Sequence, residues 1–224
     1  MATIACLSDT HLQTNFLVPP ADIVVHAGDH TFSGKMDEIA KAYWWYGKLP
    51  HKYKIAIAGN HDGLHQNEPS LARQIAKENG VIYLEDETVE VMGLKFYGSP
   101  WQPEFCNWFF NLSRYDGSLA EKWKAIPDDT DVLITHGPPL QILDKTAGYE
   151  GVVCGKPHYA APQNVGCYDL RERVRAMKLK LHVFGHIHHS SGIHKEPDLD
   201  TVFVNAAVCD EKYRPTNAPI VIKI

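Results

Sequence analysis

Short apolar runs rich in β-branched residues recur along this chain and alternate with stretches of helical periodicity. This alternation constrains the fold most, because it is typical of layered α/β proteins in which helices cover a sheet. The predicted strands are residues 3–7, 22–26, 54–58, 88–92, 95–97, 132–135, 181–184, 201–205 and 220–224. The predicted helices are residues 35–46, 69–79, 119–125 and 169–177. With no internal repeat and no linker, the 224 residues predict one domain, 1–224.

Composition restricts the partners of such a protein. Its net charge is −5, from 22 basic and 27 acidic residues, whereas proteins that bind the nucleic-acid backbone usually carry a basic stripe. No apolar run approaches the roughly 18 residues that a membrane span needs. We therefore expect neither a nucleic acid nor a membrane as partner, and the sequence leaves the oligomeric state open.

The amino terminus and the cysteines predict a cellular location. The first residues, MATIACLSD, lack the basic flank and long apolar core of a signal peptide. The five cysteines, at positions 6, 106, 154, 167 and 209, show no CxxC spacing. Scattered cysteines in odd number are typical of reduced thiols. The expectation is a cytoplasmic protein without a disulfide framework.

Polar residues that can coordinate a metal follow several of the predicted strands. The segments are SDTH, AGDH, AGNHD, THGPP and GHIH. Ligands in open α/β sheets gather beyond the carboxyl ends of strands, so these segments are predicted to converge on one crevice. The glycines in them permit sharp turns and close approach of the backbone. In THGPP, Gly137 and the two prolines after it are expected to turn the chain away, leaving His136 to face the crevice.

These residue types suit a pair of metal ions. A carboxylate can bridge two cations, and mixed nitrogen and oxygen ligands suit manganese, iron, nickel or zinc better than magnesium or calcium. Two divalent ions carry a charge of +4, against −2 from Asp9 and Asp29. The remaining positive charge would attract a phosphate ester and acidify a bound water.

The order of these segments resembles the calcineurin-like metallophosphoesterases, whose motifs are DxH, GD, GNH followed by an acid, a lone His, and GHxH. Five short motifs in the right order make the resemblance specific. It implies a fold of two mixed β-sheets packed as a sandwich and flanked by helices, over essentially the whole chain. The segments KYKIAIAGNHD, YGSPWQP, LITHGPP, LHVFGHIH and PTNAPIVIKI are most similar to the metallophosphoesterase-domain-containing (class III phosphodiesterase-like) subfamily. That similarity implies a metal-dependent phosphodiesterase with activity on cyclic nucleotides.

The resemblance also implies roles for individual residues. One ion would be held by Asp9, His11, Asp29 and His188. The other would be held by Asp29 as the bridge, with Asn60, His136 and His186. His61 would approach the substrate phosphate or the leaving group, and Asp62 would orient His61. Manganese is the expected metal, with iron, nickel or zinc as alternatives. His30 departs from the family pattern, which more often has an apolar residue after GD, and is given no role.

Other residues have simpler interpretations. His26 and His182 lie within strand patterns and are expected to be core or edge histidines. Trp101 and Trp108 are expected either to pack within the fold or to line the substrate pocket, and the sequence favours neither. The irregular stretch from 140 to 166 is long enough for a functional loop.

Four functions are compatible with the motifs. A hydrolase of small phosphodiesters is the leading hypothesis. A nuclease uses the same chemistry but usually has a basic segment, and a phosphomonoesterase or protein phosphatase needs a docking surface for which 224 residues leave little room. A non-catalytic scaffold would be expected to have lost ligands, whereas this chain keeps all seven.

Overall fold

The computed structural model describes residues 1–153 and 156–224, which form fifteen strands and five α-helices. The strands are β1 Thr3–Leu7, β2 Ile23–Ala27, β3 Tyr53–Ile57, β4 Ile82–Tyr83, β5 Glu87–Val91, β6 Leu94–Ser99, β7 Gln102–Pro103, β8 Asn111–Leu112, β9 Val132–Thr135, β10 Tyr149–Val153, β11 Lys156–Ala160, β12 Leu181–Phe184, β13 Gly192–Lys195, β14 Val202–Asn205 and β15 Ile220–Lys223. The helices are α1 Met36–Gly47, α2 Gly63–Asn67, α3 Pro69–Glu78, α4 Ser118–Lys124 and α5 Tyr168–Arg175, and a 3₁₀ turn covers His188–Ser190.

Two mixed sheets form the centre of the described structure. The first has the order β15-β1-β2-β3-β4, parallel except for β15. The second has the order β13-β14-β12-β9-β6-β5, with a parallel centre and antiparallel edges. Two small pairs, β7-β8 and β10-β11, lie outside them. The central strands β2, β9 and β12 are buried along their whole length, as expected for parallel strands covered on both faces.

Three apolar layers hold these sheets in place. The inner faces of the two sheets pack on each other, with Ile55, Phe96 and Val183 among the buried residues. The outer face of the first sheet is covered by α1 and α3, where Tyr43 and Tyr46 are buried. The outer face of the second is covered by α4 and α5, around Trp123. The predicted sandwich of two mixed sheets flanked by helices is confirmed.

The predicted elements match the observed ones within about two residues. Pro69 occupies the first turn of α3, and Gly80 follows that helix in the left-handed conformation at φ +70°, as expected for a helix start and stop. The sequence analysis missed α2, β4, β7, β8, β10, β11 and β13. All seven have five residues or fewer, too short for a periodic signal, and β4 also depends on pairing with the distant strand β3.

The expectation that the cysteines are reduced thiols is wrong for Cys106. Cys6, Cys167 and Cys209 are free and buried, but Cys106 is disulfide-bonded. Cys154 lies outside the described residues. The cysteines therefore do not support a cytoplasmic location. None of the helices in the described ranges is both long and apolar enough to cross a bilayer.

Gly98 gives a test of the packing between the sheets. A Cβ at this position of β6 would lie 2.6 Å from Leu84 Cβ and 2.7 Å from Ile57 Cγ2, so the sheets approach closely only because no side chain is present. We expect Gly98→Ala to lower the free energy of unfolding by roughly 1–3 kcal/mol, measured by urea denaturation. Gly137→Ala is the control, because its Cβ would lie 3.4 Å from Gln102 Cβ. Equal losses in the two variants would contradict this account.

Candidate metal centre

All seven predicted metal ligands lie just after the carboxyl end of a strand. The first sheet contributes residues after β1, β2 and β3, and the second sheet contributes residues after β9 and β12. The two sheets are packed with these ends at a common edge, so the segments meet there. The residues brought together are Asp9, His11, Asp29, Asn60, His136, His186 and His188.

Three of the histidines share one arrangement, in which the ring Nδ1 contacts a backbone carbonyl oxygen. These pairs are His11 with Thr31 at 2.8 Å, His136 with Ala27 at 2.9 Å, and His188 with Asp210 at 2.9 Å. A carbonyl oxygen can only accept, so each Nδ1 carries the proton. Histidines that bind metals are usually held in this way, which leaves Nε2 as the ligand atom.

The Nε2 atoms point at other acceptors. His11 Nε2 lies 3.4 Å from His188 Nε2, and His136 Nε2 lies 2.9 Å from Asn60 Oδ1. His188 Nε2 also lies 3.3 Å from Asp9 Oδ1. Lone pairs facing lone pairs inside a protein require a cation or a proton between them. The donor set therefore fits metal ions, and its mixture of imidazole, carboxylate and amide suits a transition metal.

The described residues contain three groups with ligand atoms within 4.8 Å of one another. Asp9, His11 and His188 form one, and Asp29, His136 and His186 form another. His11, Asp29 and His61 form the third. Asp29 therefore lies between the two sets that the sequence analysis assigned to separate ions. Its place is that expected of a bridging carboxylate, and ligation by each residue stays a prediction.

The buried carboxylates and histidines shift each other's pKa in opposite directions. Burial would raise the pKa of Asp9, but His188 beside it lowers that pKa to about 2. Burial would lower the pKa of His136, but Asp29 raises it to about 9. Burial would also raise the pKa of Asp29, but His136, His61 and His11 together hold it well below its usual range. The cluster thus holds ionised carboxylates away from water, which is the charge state that binds a metal ion.

Four of the candidate ligands have an uncommon backbone conformation. Their φ angles are positive, although none of them is glycine. The values are +53° for Asp9, +43° for His11, +57° for Asp29 and +68° for His186. Such residues cost of order 1–3 kcal/mol each and cluster at functional sites. The sequence gives no direct sign of this strain.

Two glycines leave room for the carboxylates. A Cβ on Gly59 would lie 2.3 Å from Asp29 Oδ1, and one on Gly185 would lie 2.0 Å from Asp9 Oδ2. The expected close approach of backbone is therefore present at these positions. Close approach does not explain the glycine after His136, because a Cβ on Gly137 would have space.

His61 lies beside the cluster, with only 9% of its surface exposed. Its backbone N–H donates to Asp29 Oδ1 at 2.8 Å, and its Nδ1 contacts the carbonyl oxygen of Phe32 at 2.6 Å. The Nδ1 proton is therefore fixed on the carbonyl, and Nε2 is left for a proton, a substrate or an ion.

Asp62 does not make the predicted contact with the His61 imidazole. Its carboxylate accepts the backbone N–H groups of Gly59, His30 and Thr31, and also the Thr31 hydroxyl at 2.9 Å. The same hydroxyl contacts the backbone carbonyl of His61 at 3.0 Å. Asp62 therefore fixes the turn that carries His61, while the Phe32 carbonyl orients its ring.

A cavity of about 280 Å³ lies over the cluster, and aromatic side chains surround its mouth. Phe105, Trp108 and Tyr213 line it, and Phe32 packs against Tyr213 with ring centroids 5.2 Å apart. All four are more than a third exposed. We call these four residues the aromatic rim. Only Trp108 was considered at the sequence level, since lone aromatics in irregular segments carry no periodic signal.

Trp101 does not line this cavity. Its indole N–H donates to Asp86 at 2.9 Å, and its ring packs on Phe110. The expected functional loop contributes Thr146 and Ala147 to the cavity wall, although residues 154–155 lie outside the described part of the chain.

The remaining histidines have structural surroundings. His26 and His182 are fully buried and contact the hydroxyls of Thr10 and Thr135, as expected for core residues. His30 is buried and stacks on His26 with ring centroids 3.7 Å apart. His189 lies at the cavity mouth, 3.2 Å from Glu211.

Residues 2–190 match the model of the calcineurin-like phosphoesterase family. The chain belongs to this family. It is 41% identical over 243 residues to human metallophosphoesterase domain-containing protein 1, covering 98% of this chain and 70% of that protein. It is 37% identical over 234 residues to a UPF0046 protein of Caenorhabditis elegans, covering 99% and 74%. This calcineurin-like phosphoesterase is therefore a metal-dependent hydrolase of phosphoric esters.

Solved structures agree on the fold. The phosphopantetheinyl hydrolase of Mycobacterium tuberculosis superposes with a TM-score of 0.58 at 16% identity, over 97% of this chain and 95% of that chain. A Thermus thermophilus protein superposes with a TM-score of 0.56 at 12% identity, over 91% and 88%. At such identities the likeness shows the fold alone.

The position of Asp29 between the two sets predicts a graded loss of metal. We expect two transition-metal ions per native chain, about one in His136→Ala, and fewer than one in Asp29→Asn, because a neutral amide cannot replace a bridging carboxylate. The measurement is elemental analysis after reconstitution with manganese. The exposed Asp37→Asn is the control and should keep both ions. Two ions in Asp29→Asn would contradict the bridge.

Proposed function

We propose that this calcineurin-like phosphoesterase is a dinuclear metal-dependent phosphodiesterase that hydrolyses small phosphodiesters, with cyclic nucleotides as the first candidates. The observation that carries the proposal is the position of Asp29, whose carboxylate belongs to candidate groups on both sides and holds the backbone of His61. One carboxylate thereby connects the candidate ligands of both ions with His61.

When bound, the two ions would supply positive charge for the phosphate and a hydroxide formed from water at neutral pH. Asp9, His11 and His188 would hold one ion, and Asn60, His136 and His186 would hold the other, with Asp29 common to both. The Nδ1 contacts to backbone carbonyls keep the ligand histidines in one tautomer. Candidate ligands that are already oriented in this way would need little reorganisation during the reaction.

His61 is suited to protonate the leaving oxygen. Its Nδ1–H is held by the Phe32 carbonyl, and the ring packs against Trp108 with centroids 4.1 Å apart. With Nδ1 fixed, the proton to be transferred is the one on Nε2.

The aromatic rim favours a compact, partly planar diester. Phe105, Trp108 and Tyr213 offer apolar faces beside the candidate metal ligands, and the acidic Glu211 lies in the same lining. A long polyanion gains affinity from basic contacts along its backbone, and among the described residues that line the cavity none is Lys or Arg. The rim therefore supports a small diester over duplex DNA.

Turnover by stripped protein tests the proposed function. Bis(4-nitrophenyl) phosphate, 4-nitrophenyl phosphate and plasmid DNA are supplied separately, with manganese, iron, nickel or zinc added one at a time. We expect kcat/KM to be at least tenfold higher for the diester than for the monoester, with little cutting of DNA at either low or high salt. Asp29→Asn is the control for contaminating activity. A higher kcat/KM for the monoester, or efficient and salt-sensitive DNA cutting, would replace the proposal with a phosphomonoesterase or a nuclease.

His61→Ala separates proton donation from ligation. A nitrophenolate leaves without a proton, but a ribose alkoxide needs one, and a general acid contributes typically 10²–10⁴-fold. We expect the variant to keep both ions and to lose at least about tenfold more activity on a cyclic nucleotide than on the nitrophenyl diester. Initial rates and elemental analysis measure both effects.

His194→Ala is the matched control, because His194 lies on β13, outside the cavity. An equal fall on both substrates would assign His61 to the phosphoryl oxygens. Loss of an ion would make His61 a ligand, consistent with its place in the third candidate group.

A further inference from the structure

A second cavity of about 420 Å³ opens beside the one over the metal-ligand cluster. Its size is within the range of small-molecule sites, about 300–1,000 Å³. The two cavities have part of their walls in common. The shared residues are Phe105, Thr146, Ala147, His186, Ile187 and Glu211. A molecule whose phosphate lies at the cluster can therefore extend past His186 into the second cavity without crossing the protein.

The lining of this second cavity is predominantly apolar. Pro103, Pro138, Val165 and Ile187 contribute aliphatic surface, and Phe105 contributes a ring. Neither His61 nor Trp108 lines it. A group in this cavity would therefore be bound by burial of apolar surface, and it would lie apart from the proposed proton donor.

The wall that carries Val165 is held from two directions. The buried Asp144 carboxylate accepts the Gly166 N–H at 2.9 Å, and the Asp144 carbonyl accepts the Val165 N–H at 3.1 Å. From the other side, the Arg114 guanidinium donates to the carbonyls of Val165 and Gly166 at 2.5 and 2.9 Å. The cavity is thus formed before a ligand arrives, which reduces the entropic cost of binding.

The charges around this cavity favour an uncharged ligand. Arg114 uses its donors on backbone carbonyls, and Glu211 lies 3.2 Å from His189. Glu104 is the other acidic residue in the wall. Among the described residues that line the cavity, one cation against two carboxylates gives no attraction for a second anionic group.

We propose that this second cavity is a subsite for an uncharged, predominantly apolar ester group of the substrate. The inference rests on the proposed phosphodiesterase function and narrows its substrate class. A cyclic nucleotide, the first candidate above, has both ester bonds to one sugar and so has no separate second ester group that could occupy this subsite. Within the small phosphodiesters of the proposed function, the subsite therefore favours acyclic diesters, in which one alcohol would leave on the His61 side and an alkyl-like group would stay past His186.

Binding of alkylphosphonates tests the subsite without requiring turnover. Titration calorimetry of manganese-loaded protein is run with methyl-, butyl-, hexyl- and octylphosphonate. We expect affinity to rise by up to about fourfold per added methylene, until the chain fills the cavity. In Val165→Trp the rise should disappear, while the affinity for methylphosphonate stays unchanged. Since Val165 makes its hydrogen bonds through its backbone, the substitution keeps them.

Two further variants keep the test decisive. Val221→Trp makes the same change at an exposed position of β15 and should behave as the native protein. If Val165→Trp fails to fold, Val165→Phe should still shorten the chain length at which affinity stops rising. Affinity independent of chain length in the native protein, or an equal rise in the native protein and in Val165→Trp, would overturn the subsite.

Hydrolysis of alkyl 4-nitrophenyl phosphates separates this inference from the proposed function. If these diesters are cleaved at rates that do not depend on alkyl length, and phosphonate affinity is also flat, the subsite is wrong and the phosphodiesterase stands. If none is cleaved but phosphonate affinity still rises with chain length in a way that Val165→Trp removes, the apolar subsite stands and the phosphodiesterase fails.

Discussion

The buried carboxylate of Asp29 is the interaction on which the geometry of the site depends. It is 2% exposed, its Oδ1 accepts the His61 N–H, and its Oδ2 faces His136 Nε2 at 3.4 Å and His11 Nε2 at 3.9 Å. An ionised carboxylate away from water is costly unless it is paired and hydrogen-bonded. Its partners follow strands of both sheets, so compensating this one charge requires the two sheets to keep their carboxyl ends at one edge.

The strained backbone around that carboxylate is maintained by its surroundings. Asp9 and His11 have positive φ, yet their N–H groups donate to the carbonyls of Gly28 and Asp29 at 2.9 and 3.1 Å. The N–H of His186 in turn donates to the Asp9 carboxylate. Each unfavourable conformation thus satisfies a buried polar group that a relaxed loop would leave unpaired, and the cost of strain is offset by hydrogen bonds. Rigidity at the site is a consequence of this coupling between neighbouring turns.

Sequence patterns predicted what depends on local chemistry. The long strands and helices carry their own periodicity, and each candidate ligand lies beside a glycine or after an apolar run. The features that could not be predicted depend on contacts between residues that are far apart in the sequence. The two-residue strand β4 exists only because β3 lies beside it, and the contact of His61 with the Phe32 carbonyl joins segments that are 29 residues apart. The family resemblance implied that Asp62 orients that ring, although its carboxylate faces Thr31. Trp101 and Trp108 look alike in sequence, and only the tertiary structure separates the packed ring from the exposed one.

The candidate metal ligands and the residues that line the two cavities come from different parts of the fold. The candidate ligands come from strand ends, where sheet packing fixes their positions, and the family motifs record these residues. The groups that would contact the two ester arms come from irregular segments: Phe105 and Trp108 follow β7, Thr146 and Ala147 precede β10, and Tyr213 precedes β15. Loops tolerate substitution more readily than the elements that they connect, so one metal centre can serve different esters. Family membership therefore identifies the phosphoric ester as the bond that is cleaved, whereas we propose that the choice of ester depends on the aromatic rim and on the apolar wall past His186.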